Sequence, residues 1–132
     1  MTINSALNVQ VAQLSGYAVV TATGSIDATT RALLDEYLDQ ALELTRLAVI
    51  VDLSEVTFCD STGLNSFVQA HRKATTRGVI VVAAGLRNLT EYVFAVTRLE
   101  EAFYSQPDLD AAVNWLENGY AARDNPPHTP AT

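Results

Sequence analysis

Val51-Asp52-Leu53-Ser54-Glu55-Val56-Thr57-Phe58-Cys59-Asp60-Ser61-Thr62-Gly63-Leu64 decides how this chain folds. Its left end closes an apolar run, Leu47 to Leu53, that holds the β-branched residues Val49, Ile50 and Val51. Such a run suits a strand covered on both faces of a parallel or mixed sheet. Its right end opens an amphipathic helix, predicted from about Ser61 to Thr76, with Leu64, Phe67, Val68 and His71 on one side. Arg72, Lys73 and Arg77 crowd the end of that helix, where cations complement the dipole, and Gly78 stops it. Val79 to Ala84 repeats the apolar strand pattern, giving a strand–helix–strand unit expected to be right-handed. Between the first strand and the helix sits a compact polar knot, Asp60-Ser61-Thr62-Gly63.

Towards the N-terminus, Leu7, Val9 and Val11 alternate with Asn8 and Gln10, the period of a half-buried strand. Ser15-Gly16 supplies a turn and Tyr17 to Thr23 a second strand, so the pair reads as a hairpin. Gly24-Ser25-Ile26-Asp27 ends it, with Asp27 placed to N-cap the next helix. In that helix Leu34, Tyr37, Leu38, Ala41 and Leu42 form one apolar stripe, while Asp35, Glu36, Asp39 and Glu43 form a solvated face. Towards the C-terminus, Asn88-Leu89-Thr90-Glu91 has the form of a capping box ahead of a stripe of Leu89, Tyr92, Val93 and Val96. Ala102-Phe103-Tyr104 suits a short strand. Pro107-Asp108 starts a last helix carrying Leu109, Ala112, Val113 and Leu116, with Gly119 at its C-cap. A hairpin followed by alternating helices and strands points to an α/β fold: a mixed sheet of about 4–5 strands packed with about 4 helices. The expected organisation is one domain over residues 1–118 and a flexible, proline-bearing tail over 119–132.

Bulk properties exclude several function classes. The chain has 132 residues, 48% hydrophobic and 17% charged, a globular composition. No apolar run approaches the ~20 residues that span a bilayer, and Met1 to Ser5 lacks the parts of a signal peptide. A cytoplasmic location without membrane contact is expected. The single cysteine, Cys59, rules out an internal disulfide, and with only His71 and His128 a metal site is not expected, nor is a cofactor. A net charge of −7 disfavours direct nucleic-acid binding and suits a basic protein partner.

The polar knot supports competing readings. Ser, Thr and Asp are all common N-caps, worth about 1 kcal/mol each, and the knot can be no more than a cap. Yet one cap is enough, and three candidates stand in a row. If Asp60 is the cap, Ser61 takes the first helical position with its hydroxyl towards water. That position lies at the positive end of a helix dipole, beyond the carboxyl end of a sheet strand, where sites tend to lie and anions are tolerated. Gly63 lets neighbours approach the backbone closely. A nucleophile elbow would read G-x-S-x-G, but here Cys59 stands in place of the first glycine. The sole nearby base, His71, is ten residues further on, about 15 Å by helical rise. Serine hydrolysis is therefore a weak alternative, and no catalytic residue is assigned. Asp52 with Asp60 lacks a third metal ligand, and Cys59, beside Phe58 and Val56, reads as a buried inert thiol.

At these residues the chain resembles the STAS-domain anti-sigma factor antagonists of the bacterial partner-switching family. Gly24-Ser25-Ile26-Asp27 resembles the family's G-x-[LI]-D segment, Val51-Asp52-Leu53-Ser54 its V-D-L-S strand end, and Phe58-Cys59-Asp60-Ser61-Thr62-Gly63-Leu64 its F-x-D-S-[ST]-G-[LI] phosphorylation motif. The likeness runs over about residues 5 to 117. It implies a non-enzymatic regulator that, unmodified, binds an anti-sigma factor which is also a serine kinase, and so frees a sigma factor. It implies phosphorylation at Ser61, with Thr62 as a lesser acceptor, and a phosphatase that resets the switch. It implies a partner-binding surface of Asp27, Asp60, Ser61, Thr62 and Gly63. Some relatives act as scaffolds without a phospho-switch, which is the alternative role.

Overall fold

The computed structural model describes residues 7–14, 16–86 and 104–118. Within them, five strands form one sheet in the order β1 (Leu7–Gln13), β2 (Tyr17–Ile26), β3 (Ala48–Cys59), β4 (Ile80–Ala84) and β5 (Tyr104–Gln106). β1 runs antiparallel to β2, and the remaining neighbours are parallel, so the sheet is mixed as the alternation of elements predicts. Three helices are described, α1 (Arg31–Leu44), α2 (Ser61–Thr76) and α3 (Leu109–Glu117). The capping box at Asn88–Glu91 and the stripe that follows it lie outside the described residues, as do Ala102, Phe103, Gly119 and the tail.

The sequence patterns map onto two packed faces. On one, Val20, Val49, Val51 and Val81 of the sheet meet Leu34, Leu38 and Leu42 of α1 and Leu64, Phe67 and Ala74 of α2. On the other, Val19, Ile50 and Val82 meet Ala112 and Leu116 of α3. Successive strand residues point to opposite faces, so a strand covered on both must be apolar throughout. That is why β3 reads as an unbroken run, and why β1, at the edge, alternates Leu7 and Val9 inside with Asn8 and Gln10 outside. Burying each large apolar side chain contributes about 1.5–3 kcal/mol.

Three local expectations shift. The strand expected to end near Leu53 continues to Cys59, and β2 runs through Gly24-Ser25 to Ile26 rather than stopping at Thr23. The two extensions pair with each other, Gly24 with Val56, Ser25 with Phe58 and Ile26 with Cys59, across two register shifts that a reading by strict alternation cannot anticipate. Asp27 is not the N-cap of α1. That position belongs to Thr30, which makes no side-chain cap bond, while Asp27 closes the turn that precedes the helix. Lys73 stands in the last turn of α2 as expected, and it also reaches Asp39 of α1 at 2.7 Å. Gly78, at a φ of 72°, ends α2 as expected, and Asp108 caps α3 by accepting from Ala111 N.

Candidate functional site

The long β2–β3 pair carries its last residues to the carboxyl-end rim of the sheet. There the Asp60 N–H donates to the Ile26 carbonyl at 3.1 Å, which ties the start of α2 to the end of β2. Asp60 is the N-cap of α2 in extended conformation, and Ser61 is the first helical residue. The Asp60 carboxylate accepts through one oxygen, Oδ1, from Thr62 N at 3.0 Å, Gly63 N at 3.2 Å and Thr62 Oγ1 at 2.6 Å. Of the three neighbouring hydroxyl and carboxyl groups, the carboxylate therefore does the capping. Ser61 is exposed and makes no side-chain hydrogen bond among the described residues, whereas Thr62 is half-buried and committed to Asp60.

The neighbouring turn repeats this arrangement. Asp27 Oδ1 accepts from Thr29 N at 2.9 Å, Thr29 Oγ1 at 2.7 Å and Thr30 N at 3.2 Å. Further back, Asp52 Oδ1 accepts from Ser54 N at 3.1 Å and Ser54 Oγ at 2.8 Å. Three Asp-x-Thr/Ser turns thus sit along the β2–β3 pair, at residues 27–29, 52–54 and 60–62. Bonds from the Thr62 hydroxyl and from the Gly63 and Thr62 amides hold Asp60 below its ordinary value of 3.8, against opposing pushes from desolvation and, more weakly, from the charge of Asp27. Asp27 is held low likewise, first by the Thr29 hydroxyl. The two carboxylates are ionised at neutral pH and feel each other across the rim, which makes it an anionic surface.

Gly63 is buried where α2 crosses the strand ends. A Cβ there would overlap Cγ2 of Ile26 and stand 2.8 Å from the Cys59 sulfur. The close approach expected of Gly63 is therefore made by these two side chains. Cys59 is buried, and desolvation followed by the charge of Asp60 pushes its thiol up to about 12, so it is no nucleophile at neutral pH. His71 is half-buried further along α2, and desolvation lowers its pKa. Asp52 is buried and bonded to Ser54, apart from the rim pair. Among the described residues no group of three or more His, Cys, Asp or Glu side chains could hold a metal ion, and no helix is long and apolar enough to cross a membrane.

The structure thus brings Asp27, Asp60, Ser61, Thr62 and Gly63 to one rim. Sequence reasoning passed over Thr29 and Thr30, which fix Asp27, and Ile26, which seats Gly63. The repeated Asp-x-Thr spacing was the available signal for the first two.

The STAS domain family model matches residues 8–112. The chain belongs to the STAS domain family. It is 33% identical over 78 residues to the anti-sigma-B factor antagonist of Listeria monocytogenes, a match that covers 59% of this chain and 68% of that one. The crystal structure of an anti-sigma factor antagonist from Mycobacterium paratuberculosis superposes with a TM-score of 0.72 at 28% identity, over 84% of this chain and 94% of that one. The Bacillus protein SpoIIAA, an anti-sigma factor antagonist, has the same fold at 14–15% identity: its unphosphorylated form gives a TM-score of 0.70 over 84% of this chain and 97% of its own, and its phosphorylated form 0.60 over 83% and 99%. In this STAS domain the Asp60 cap of α2 leaves Ser61 exposed at the rim of the sheet.

Proposed function

We propose that this STAS domain is an anti-sigma factor antagonist switched by phosphorylation at Ser61. The unmodified protein binds an anti-sigma factor that is also a serine kinase and thereby releases a sigma factor. The kinase phosphorylates Ser61, binding is lost, and a phosphatase restores it. The observation that carries this reading is the exposed, uncommitted Ser61 hydroxyl at the head of α2, beside the ionised Asp27 and Asp60.

The physics favours a switch between molecules rather than within one. Asp60 already occupies the Thr62 and Gly63 amides, so a phosphate on Ser61 need not displace any bond to remain in the folded chain. It adds about −1.5 to −2 charges to a rim that already carries two carboxylates, roughly doubling the local negative charge. A partner surface fitted to the unmodified rim then meets repulsion and desolvation, and each 1.4 kcal/mol of that is a tenfold loss of affinity.

The test is a pull-down with wild type, Ser61→Ala and Ser61→Asp, followed by intact-mass analysis with ATP and the captured kinase. Ser61→Ala is expected to bind like wild type and take up no phosphate. Ser61→Asp is expected to bind at least tenfold more weakly. Equal binding by Ser61→Asp overturns the switch.

A further inference from the structure

Two adjacent hydroxyls, Ser61 and Thr62, stand at the proposed phosphorylation site, and the structure treats them differently. The Thr62 hydroxyl donates to Asp60 Oδ1 at 2.6 Å in a half-buried setting, while the Ser61 hydroxyl has no such bond and lies open. We propose that Asp60 is the residue that selects the acceptor: by holding the Thr62 hydroxyl it leaves Ser61 as the single group open to phosphoryl transfer. This rests on the reading of Ser61 given above.

The chemistry of the step sets the two positions apart. Transfer from a nucleoside triphosphate forms a bond between the acceptor oxygen and the γ-phosphorus and breaks the bond from that phosphorus to the leaving nucleoside diphosphate. The hydroxyl proton passes to a base of the kinase. At Ser61 this breaks no bond within the protein. At Thr62 it removes the proton that Oγ1 donates to Asp60, and two acceptor oxygens then face each other at hydrogen-bond distance. It also sets a phosphate dianion against an ionised carboxylate that caps α2 through Thr62 N and Gly63 N. Asp60 is a poor base for activating Thr62, because the three bonds it accepts favour its ionised form. Asp27 holds Thr29 by the same geometry, so the device appears twice on one rim.

Asp60 is thus a positioning residue for the modification, and its signature is where the phosphate goes. The experiment maps phosphate by mass spectrometry after incubation with ATP and the kinase recovered with wild-type protein. Wild type is expected to carry phosphate at Ser61 alone, and Ser61→Ala none. Asp60→Ala combined with Ser61→Ala is expected to take phosphate at Thr62 at least tenfold faster than Ser61→Ala. No increase, with Asp60→Ala alone still modified at Ser61, overturns the proposal. If Asp60→Ala takes no phosphate at all, the decision falls to Ser61→Ala with Thr62→Ser, where Asp60 is intact and position 62 carries an unhindered primary hydroxyl. That variant is expected to stay unmodified, and phosphate on it overturns the proposal. Wild type lacking phosphate at Ser61 instead sinks the function proposed above, so the two failures are told apart.

Discussion

Gly63 lies so close to Ile26 that a methyl group on it would overlap the Ile26 Cγ2 atom. The contact joins the first turn of α2 to the last residue of β2, and so sets the depth at which Ser61 and Asp60 stand on the rim. Gly63→Ala therefore overpacks a buried seam, which costs about 1–3 kcal/mol, partly offset by the ~1 kcal/mol that alanine gains over glycine in a helix. Urea unfolding is expected to show a net loss of stability. A variant as stable as wild type would mean that the seam can open.

Much of this was legible in the chain. Leu34, Leu38, Ala41 and Leu42 were found by helical period because the sheet contacts a single face of α1. The start of α2 was found because strand, cap and apolar stripe change within six residues, Cys59 to Leu64. The extensions of β2 and β3 were missed because they hold each other through shifted register, a relation between distant segments that no local pattern carries. The role of Asp27 was misplaced by a few residues, since an Asx turn and a helix cap draw on the same side-chain chemistry. That Ser61 stays open while Thr62 is bound depends on which oxygen reaches which amide, and spacing alone leaves this undecided.

Asp60→Ala removes the α2 cap and is expected to lower stability by about 1 kcal/mol at neutral pH, with Asp60→Asn losing less because its amide oxygen still accepts. The sign of the pH dependence follows from the depressed folded-state pKa of Asp60. Its contribution is fully present above the unfolded value of 3.8 and is lost as pH falls through the lower folded value. The gap between wild type and Asp60→Asn is therefore expected to shrink in unfolding curves taken at acid pH. A gap that widens on acidification contradicts the cap geometry.

Cys59 is 2% exposed, and burial raises its thiol to about 12. Native protein at pH 8 is expected to react with a thiol reagent at least tenfold more slowly than protein in strong denaturant, because the thiolate is scarce and shielded. Rapid labelling of the native chain would show that the floor beneath Gly63 opens on the timescale of the reaction.

Ser66 tests the opposite kind of polar group. Its hydroxyl is on the buried side of α2, 1% exposed, and has no hydrogen-bond partner among the described residues. It borders a groove of about 230 Å³ between α1 and α2, together with Leu38, Ala70 and the Asp39–Lys73 pair. A hydroxyl buried without a partner costs about 1–3 kcal/mol in lost hydration, and deleting it, so that Cβ becomes a methyl group, removes that cost while leaving a very small void. Alanine is also the better helix former. Ser66→Ala is therefore expected to be neutral or to stabilise by up to about 1 kcal/mol in urea unfolding, with capture of the proposed partner unchanged because Ser66 lies away from the Asp27–Asp60 rim. A loss of 1 kcal/mol or more would reveal a partner for Oγ, such as a water held in the groove, and would make Ser66 part of the α1–α2 seam rather than a tolerated defect in it.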